Sequence, residues 1–386
     1  MAQPITLDTV SALQQFNQDH NKGWTFGTNW VNVATEFETF VNKYLFPKIT
    51  ETASVVVDLG NRFDWLAKEI DFIGQYSEEY VVLDSVPVAM NLSKSEELML
   101  KRNYPKIATK LYGQGILKKQ KFTLNNNDVR FNFLTLGDAV KYAIAVYRKK
   151  ISDINVVEEK EIKAMLVDYA LNVAKDERTT TSRDDFFNET FQAILNLQNN
   201  STKYNEANLA SGGAIGQYTT VSSLNNVAIL TTDTMKTYLL DTKLANTFQA
   251  SGLDLSQRII SFDDLGGVYK AKEDIEIKNE KTIDYLRTMG DYQVSQGDIV
   301  PKDSTLTFDV SQLENFKGKV EEVAPQTNEF AYIFDINKLR YRRYTKDMLK
   351  APFYNGEFDE VTYWLHYYSF KSVSPFFNSV VIKGQS

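Results

Sequence analysis

Histidine is the side chain that most often performs acid–base chemistry near neutral pH, and this chain of 386 residues contains two. His20 lies in the polar stretch Gln18-Asp19-His20-Asn21, where we expect it to be solvated. His366 lies in an aromatic segment near the end of the chain. No Gly-x-Ser-x-Gly sequence is present to form a nucleophile elbow. A hydrolytic enzyme would therefore depend on His366 or on a pair of carboxylates.

The sequence around His366 favours a structural role for this histidine. Period-two alternation divides the segment into two largely apolar faces, one with Trp364, His366, Tyr368 and Phe370 and the other with Tyr363, Leu365 and Tyr367. Apolar residues on both faces are typical of a strand that is covered on both sides. Buried histidines usually have a hydrogen-bonded ring. We therefore expect His366 to be packed, neutral and without a catalytic role.

Other residues with possible chemistry give weaker signals. Adjacent acids occur at Glu78-Glu79, Glu96-Glu97, Asp184-Asp185, Asp263-Asp264 and Glu321-Glu322. Neighbouring residues on a strand or helix point to different sides, so these pairs do not by themselves make a glycosidase site. The cluster Gly212-Gly-Ala-Ile-Gly216 resembles a phosphate loop, but no Lys-Ser or Lys-Thr follows it. We interpret it as a flexible loop.

The composition excludes several classes of protein. There is no cysteine, which removes disulfides, thiolate nucleophiles, zinc ribbons and iron–sulfur clusters. Two histidines and no Asp-x-Asp-x-Asp-Gly loop leave little basis for a metal site, so we predict no metal and no cofactor. The net charge of −7 argues against a main role in gripping nucleic acid. Residues 207–232 are uncharged, but only 12 of them are apolar, so we predict no membrane segment.

The first 50 residues are predicted to form an N-terminal arm. Two tryptophans, Trp24 and Trp30, lie in a Gly-flanked polar stretch that cannot form a core by itself. Helical spacing follows for the apolar residues Phe37, Phe40, Val41, Tyr44 and Leu45, until Pro47 ends the pattern. We therefore expect Trp24 and Trp30 to contact another part of the fold or another subunit.

Residues 70–124 read as a long two-stranded hairpin, with candidate strands Ile73–Val88 and Ile107–Leu124. Residues 68–93 carry a net charge of −4 and residues 94–121 a net charge of +6. One interpretation is a solvated hairpin with weak cross-strand ion pairs. The other is an arm whose charges select neighbouring copies. The contact candidates are Glu78, Glu79, Asp84, Lys118, Lys119 and Lys121.

The middle of the chain is helical and its end is rich in strands. Leu136, Val140, Ala143, Tyr147 and further residues at steps of three and four predict a long helix from about 135 to 175, with a possible restart at Asn155. A strand–helix–strand order over residues 227–262 predicts a small α/β unit. The β-rich segments from Phe330 onward are expected to share a sheet with early strands. The predicted fold class is α+β.

Seven runs of the chain resemble the major capsid, or major head, proteins of small short-tailed staphylococcal phages. The early runs are Trp24-Thr-Phe-Gly-Thr-Asn-Trp30, Phe37-Glu-Thr-Phe-Val-Asn-Lys-Tyr-Leu-Phe-Pro47, Asp71-Phe-Ile-Gly-Gln-Tyr-Ser-Glu-Glu-Tyr80 and Lys118-Lys-Gln-Lys-Phe-Thr-Leu-Asn-Asn-Asn127. The later runs are Ala210-Ser-Gly-Gly-Ala-Ile-Gly-Gln-Tyr-Thr-Thr220, Ile260-Ser-Phe-Asp-Asp-Leu-Gly-Gly267 and Phe358-Asp-Glu-Val-Thr-Tyr-Trp-Leu-His-Tyr-Tyr-Ser-Phe370. They follow one another in order over nearly the whole chain.

The resemblance implies the Hong Kong 97-type capsid fold, and it gives the predicted segments their names. These are an N-terminal arm (1–50), the start of a peripheral domain (51–69), an E-loop hairpin (70–124), the peripheral domain with a long spine helix (125–200), an axial domain (201–329) and a return to the peripheral domain (330–386). No decorating domain is expected after the last strand.

The resemblance also implies a function. It is that of a structural virion protein and not an enzyme, which self-assembles through non-covalent contacts into an icosahedral head around double-stranded DNA. The implied partners are other copies of the chain, a portal protein, a scaffolding or other head protein, and DNA bound without sequence specificity on the inner face. Assembly is expected in the host cytoplasm and the final location is the virion capsid.

Overall fold

The long helix and the late strands expected from the sequence are both present in the computed structural model of the chain. It describes residues 7–29, 32–33, 36–46, 62–70, 77–83, 106–113, 115–125, 135–172, 176–211, 218–241, 258–265, 268–277, 292–301, 310–323, 329–344, 349–358 and 360–384. No helix among these residues is long and apolar enough to cross a membrane.

Helices and strands are mixed along the described chain, which confirms the α+β class. The helices are α1 (Leu7–His20), α2 (Phe37–Phe40, continued by a π-helical turn Val41–Leu45), α3 (Leu136–Asn172), α4 (Arg183–Leu197), α5 (Glu206–Ser211) and α6 (Asp233–Asp241). Short 3-10 turns cover Asp64–Leu66, Leu224–Asn226, Asp263–Leu265 and Val310–Gln312. The strands are β1 (Ala67–Glu69), β2 (Ser77–Val82), β3 (Ile107–Tyr112), β4 (Ile116–Asn125), β5 (Asp176–Thr180), β6 (Val227–Thr231), β7 (Ile259–Ser261), β8 (Val268–Ala271), β9 (Ile275–Ile277), β10 (Tyr292–Val294), β11 (Ile299–Pro301), β12 (Val320–Val323), β13 (Phe330–Asp335), β14 (Leu339–Tyr344), β15 (Leu349–Asn355), β16 (Glu360–Val373) and β17 (Ser379–Gly384).

One sheet, called the first sheet below, is built around β16. Strand β4 pairs with β16 in antiparallel orientation, from Asn125 opposite Glu360 to Ile116 opposite Ser369. On its other edge β16 pairs with β14 and β15, and β1 joins β14 in parallel. Early and late segments therefore share a sheet, which confirms the prediction.

The first sheet has two different faces because side chains alternate along its strands. On the inner face Tyr363, Leu365 and Tyr367 of β16 are buried in a core that includes Phe122 of β4. The rings of Phe122 and Tyr363 stack at 4.9 Å. The outer face carries the residues between them, which include Trp364 and His366.

Helix α3 is unbroken over 37 residues, so it is about 55 Å long. The Thr135 hydroxyl accepts a 3.3 Å hydrogen bond from the Asp138 amide, which caps the start of the helix as the sequence predicts. Val140, Ala143 and Tyr147 pack under the first sheet, whereas Leu166 belongs to a second core. The possible break at Asn155 is absent. One helix therefore connects two cores.

The second core lies against one face of another five-stranded sheet, the second sheet, in the order β5-β17-β13-β6-β7. Every residue of β6 and β13 is buried, as continuous apolar runs predict. Strands β13 and β17 pair with each other, and β13 also pairs with β6. This sheet therefore takes strands from the predicted segments 125–200, 201–329 and 330–386.

A smaller unit lies beside the second sheet. Strand β8 pairs with β11 and β12, and β9 pairs with β10. Their apolar side chains form a separate cluster that includes Val310 and Phe316. Strand β11 also contacts α3, so this unit lies against the long helix.

The hairpin differs from the prediction at its second strand. Residues Ile107–Leu124 were expected to form one strand, but β3 ends at Tyr112 and β4 begins at Ile116. Strand β2 pairs with β3, whereas β4 leaves the hairpin and joins β16. A Cβ atom at Gly115 would lie 2.4 Å from the carbonyl oxygen of Ser369, so only glycine fits at this corner.

We predict that Gly115→Ala lowers the free energy of unfolding by about 1–3 kcal/mol, because the added methyl group overlaps the backbone of β16. Urea unfolding of the isolated subunit measures this change. Gly113→Ala is the matched control, since a Cβ atom there has no neighbour within 4 Å. Equal effects of the two substitutions would contradict the close approach at Gly115.

Candidate subunit interface

The hairpin formed by β2 and β3 has two faces of different character. The ladder pairs Ser77 with Tyr112 and Val82 with Ile107, so alternate residues point to opposite sides. One side is called the hairpin outer face, and all of its described residues are exposed: Glu78, Tyr80, Val82, Ile107, Thr109 and Leu111. Tyr80 and Leu111 are 68% and 66% exposed. Contiguous exposed apolar residues are typical of protein–protein contacts.

Glu79 fastens the opposite side of the hairpin to the first sheet. Its carboxylate accepts a 2.6 Å hydrogen bond from the Arg340 guanidinium and a 2.7 Å hydrogen bond from the Tyr112 hydroxyl. Burial and the Glu79 carboxylate together raise the pKa of Tyr112. Both oxygens of Glu79 therefore have partners within the chain, and its contact with a neighbouring subunit stays a prediction. Glu78 remains exposed and available.

Lys118 lies inside the fold, on the inner face of the first sheet. It forms an ion pair with Glu161 of α3, and its ammonium group lies 5.7 Å from the ring centre of Tyr367. Burial lowers the pKa of Lys118, and the Glu161 carboxylate acts in the opposite direction. A contact of Lys118 with a neighbouring subunit likewise stays a prediction. The residue joins the long helix to β4.

Lys119 and Lys121 are on the outer face of β4 and are exposed. Their ammonium nitrogens both lie 5.6 Å from the ring centre of Trp364, which is half-buried. Each cation is therefore close enough to be attracted to the face of the indole ring. Leu117 and Phe353 on the same face are 63% and 65% exposed. We call these five residues the lysine–tryptophan surface.

Sequence reasoning missed two parts of this arrangement. No local sequence pattern predicts that Arg340 and Tyr112 bind Glu79, because Glu79 is distant from both along the chain. Trp364 was expected to be covered on both sides of its strand. Its position opposite Lys121 depends on the pairing of β4 with β16, which no local pattern specifies.

A second buried carboxylate, Glu158, lies one helical turn before Glu161. One of its oxygens is 3.0 Å from the Arg343 guanidinium, and Oε1 is buried without a hydrogen-bond partner. Arg343 also pairs with Asp64 and Glu69 at 2.9 Å and 3.2 Å. Burial raises the pKa of Glu158 to about 7, although Arg343 opposes this effect. These groups connect α3 to β14 and to the segment around β1.

The N-terminal arm packs on its own subunit. The ring of Trp24 lies 4.7 Å from that of Phe16, which in turn contacts Phe40 at 5.4 Å. The side chain of Asn17 bonds the carbonyl and the amide of Trp24 at 2.8 Å and 3.1 Å. Half-buried Trp24 thus contacts its own core and leaves only part of its surface for another subunit. Trp30 and Asp84 lie outside the described residues.

The two histidines lie in different parts of the fold. His366 is half-buried on the outer face of the first sheet, opposite Lys119, so its strand is not covered there as expected. His20 is exposed, but its ring stacks on Phe16 at 4.5 Å and its Nε2 lies 3.3 Å from the Tyr44 hydroxyl. Each ring has a structural neighbour.

The acid pairs do not assemble a catalytic site among the described residues. Glu78 and Glu79 point to opposite sides of β2, as expected. Asp185 accepts a 3.0 Å hydrogen bond from the Thr181 amide, and Asp264 pairs with Lys236 and Arg62. No group of three His, Asp or Glu residues in the described ranges could hold a metal ion. Glu96, Glu97 and the Gly212–Gly216 cluster lie outside those ranges.

The long helix under one sheet, the projecting hairpin and the separate second sheet agree with the Hong Kong 97-type arrangement that the sequence resemblance implies. A match to a known protein family decides which family the chain belongs to. The model of the Phi29-like phage major capsid protein matches residues 8–383. The chain belongs to this capsid protein family. It is therefore a structural protein of the phage virion.

Individual relatives of this capsid protein agree with the family match. The major capsid protein of Staphylococcus phage S24-1 is 63% identical over 383 residues, which cover 99% of this chain and 95% of that protein. A chain from the capsid structure of Staphylococcus phage Andhra is 66% identical with a TM-score of 0.72, and 97% of each chain is covered. A chain from a structure of the head fiber and inner core protein gp22 of native bacteriophage P68 is 60% identical with a TM-score of 0.64, and 99% of each chain is covered.

These matches confirm the predicted resemblance to staphylococcal phage capsid proteins. A capsid is built from many copies of its major protein, so the chain assembles with other copies of itself in the virion. The alternative of a hydrolytic enzyme receives no support from the comparisons.

We predict that Glu79→Ala loosens the hairpin of the capsid subunit and lowers its unfolding free energy by about 2 kcal/mol, because Arg340 loses a charged hydrogen-bond partner. Amide hydrogen exchange should accelerate in β2 and β3. The matched control is Glu78→Ala, whose side chain is exposed, with an expected change of less than about 0.5 kcal/mol. Equal rates of amide hydrogen exchange in the two variants would contradict the conclusion that Glu79 fastens the hairpin to the first sheet.

Glu158 makes the stability of the subunit depend on pH. Its pKa is raised from 4.5 to about 7, so the protonated form is favoured in the folded state. The stability that the raised pKa of Glu158 gives to the folded state is complete below pH 4.5 and is lost as the pH rises through 7. We expect this group to lower the unfolding free energy by about 3 kcal/mol between those limits.

Glu158→Gln should remove that part of the pH dependence, as measured by urea unfolding of the isolated subunit at pH 5 and pH 8. Glu159→Gln is the matched control, because Glu159 pairs with Lys163 at the helix surface. An unchanged pH dependence in Glu158→Gln would show that the proton is bound elsewhere.

Proposed function

We propose that this protein is the major head subunit of a staphylococcal phage and that it assembles through non-covalent contacts into an icosahedral shell around double-stranded DNA. The observation that carries the proposal is the similarity to the major capsid protein of phage S24-1 along 99% of the chain. The exposed apolar hairpin outer face supports it, because an isolated subunit has no use for such a surface.

The proposed contact residues follow from exposure. Glu78 on the hairpin and Lys119 and Lys121 on β4 present free surfaces to a neighbour. Trp24 offers the exposed part of its ring, while its inner part packs on Phe16. Trp30 and Asp84 stay predictions from the sequence alone.

The proposed domain division is the one predicted from the sequence, with the arm at 1–50 and the hairpin at 70–124. The peripheral domain is 51–69 with 125–200 and 330–386, and the axial domain is 201–329. The first sheet and the first half of α3 support the peripheral assignment. Strand β13, which pairs with both β6 and β17, would attach the axial segment to the last part of the chain.

The proposed partners are a portal protein, a scaffolding or other head protein, and the packaged DNA. A net charge of −7 is consistent with a wall that does not trap the packaged DNA, because tight binding of phosphates requires clustered cations. We place assembly in the host cytoplasm. The proposal assigns no catalytic, cofactor-binding or metal-binding residue.

The direct test is expression of the chain with and without other head proteins, followed by sedimentation and negative-stain electron microscopy. Shells, sheets or capsomer-sized oligomers are expected. A monomer of 44.1 kDa under every condition would overturn the proposal.

We further predict that Leu111→Asp prevents assembly without unfolding the subunit. Leu111 is 66% exposed, so its replacement should change the unfolding free energy by less than about 0.5 kcal/mol. A buried aspartate at an intersubunit contact would be much more costly. Val221→Asp, at another exposed apolar residue, is the control for a general effect of charge. Normal particles from Leu111→Asp would exclude this face from the contacts.

A further inference from the structure

The turn between β15 and β16 contains a residue pair that can react with itself. Asn355 is the last residue of β15, and it belongs to the single Asn-Gly pair in the sequence. Gly356, Glu357 and Phe358 are exposed, so water reaches the turn. Glycine has no Cβ atom to shield its amide nitrogen or to restrict its backbone. The nitrogen of Gly356 can therefore approach the side-chain amide of Asn355.

The reaction open to this pair is a ring closure followed by hydrolysis. The Gly356 nitrogen loses its proton and forms a bond to Cγ of Asn355, while the C–N bond of the side-chain amide breaks and ammonia leaves. The product is a five-membered succinimide ring. Water then opens the ring at either carbonyl group, which gives aspartate or isoaspartate. The balance is one amide and one water converted to one acid and one ammonia, so no oxidant or reductant is needed.

The folded turn supplies a hydrogen-bond donor for this reaction. The Glu357 amide donates a 3.1 Å hydrogen bond to Oδ1 of Asn355, which closes an Asx turn around Gly356. Negative charge develops on this oxygen when the Gly356 nitrogen attacks Cγ. A fixed N–H donor at such an oxygen stabilises the tetrahedral intermediate. The hydrogen bond therefore favours the attack.

The two Asn-Ser pairs of the sequence are held differently. The Ser201 amide donates a 3.1 Å hydrogen bond to the Thr220 carbonyl, and the Ser379 amide donates a 2.9 Å hydrogen bond to the Tyr204 carbonyl. Each nitrogen must give up this hydrogen bond before it can attack the preceding asparagine. Asn378 is also fully buried, away from the water that opens the ring. The fold therefore protects both of these pairs.

Conversion of Asn355 would change the end of a strand pair. Asn355 lies directly opposite Glu360 of β16. An aspartate at position 355 places a second carboxylate opposite Glu360, and like charges at facing positions destabilise a strand pair. Isoaspartate has a further effect, because its main chain is one methylene group longer and no longer matches the ladder. Strand β15 also supplies Phe353 to the lysine–tryptophan surface, so weaker pairing here extends toward that surface.

We propose that Asn355-Gly356 is a self-modification site, at which the folded chain converts its asparagine to aspartate and isoaspartate in water without an enzyme. The conversion adds a negative charge beside Glu357 and Glu360 and weakens the last pair between β15 and β16. The site is independent of the proposed function, because the chemistry belongs to the turn itself.

Incubation of the purified full chain at pH 5 and pH 8 tests the proposal, with peptide mass spectrometry that distinguishes aspartate from isoaspartate. Asn355 should be replaced by both acids, and faster at pH 8 because the attacking nitrogen must lose its proton. Asn200 and Asn378, which precede the two serines, should remain amides. Conversion of Asn355 no faster than that of Asn200, or conversion only after unfolding in urea, would overturn the proposal.

Gly356→Ala is the matched variant for the same measurement. A Cβ atom at this position would lie 3.6 Å from Cε1 of Tyr354, which is an ordinary contact, so the turn accepts alanine. Conversion of Asn355 should slow by about tenfold or more, because the methyl group shields the amide nitrogen and restricts the backbone. An unchanged rate in Gly356→Ala would contradict attack by this nitrogen and overturn the proposal.

Amide hydrogen exchange tests the effect on the strand pair. Amides at the end of β15 and the start of β16 should exchange faster in converted protein than in freshly purified protein. Asn355→Asp combined with Gly356→Ala is the control, because it carries the added charge on a main chain of normal length. Its exchange should be slower than that of the isoaspartate form. Equal exchange before and after conversion would overturn the proposed weakening of the pair.

Discussion

The pairing of β4 with β16 is the constraint on which the rest of the subunit depends. Ten residue pairs fix which side chains of both strands point toward α3 and which point outward. Lys118 is thereby aimed at Glu161, while Lys119 is aimed away from the core. A shift of β4 by one residue along β16 would exchange these two roles and turn Lys119 toward the core. The same pairing ends the hairpin, because β4 can join β16 only if the chain turns between Tyr112 and Ile116.

Charge is used differently inside the subunit and on its surface. Inside, Glu158 and Glu161 on α3 lie among Lys118, Lys371 and Arg343, so the helix carries carboxylates into a space that is mostly apolar. Such groups contribute little net stability but are costly to separate, which holds the helix in one position along the strands. On the surface, Glu78 and Lys119 remain hydrated until a partner arrives. These charges are suited to choosing a partner and not to holding the fold.

The sequence predicted the elements better than it predicted their partners. Three- and four-residue spacing identified α3, and alternation identified both faces of β16. Alternation also predicted that the adjacent acids Glu78 and Glu79 point to opposite sides, and the same rule applies to Lys118 and Lys119. It did not show which member of each pair faces the core, because that depends on Arg340 and Glu161, which are far away along the chain. The run Ile107–Leu124 was assigned to one strand because its β-forming residues continue past Gly113 and Gly115. Their close spacing was the one local sign of a corner.

An assembly subunit must expose apolar surface without aggregating, and the position of the charges offers a physical solution. Within the described chain β4 pairs with β16 alone, which makes it an edge strand of the first sheet among those residues. Lysines on an edge strand oppose indiscriminate pairing, because a new strand must desolvate them. Lys119 and Lys121 therefore oppose pairing of β4 with an arbitrary strand, so the apolar surface around Trp364 can stay exposed without promoting aggregation.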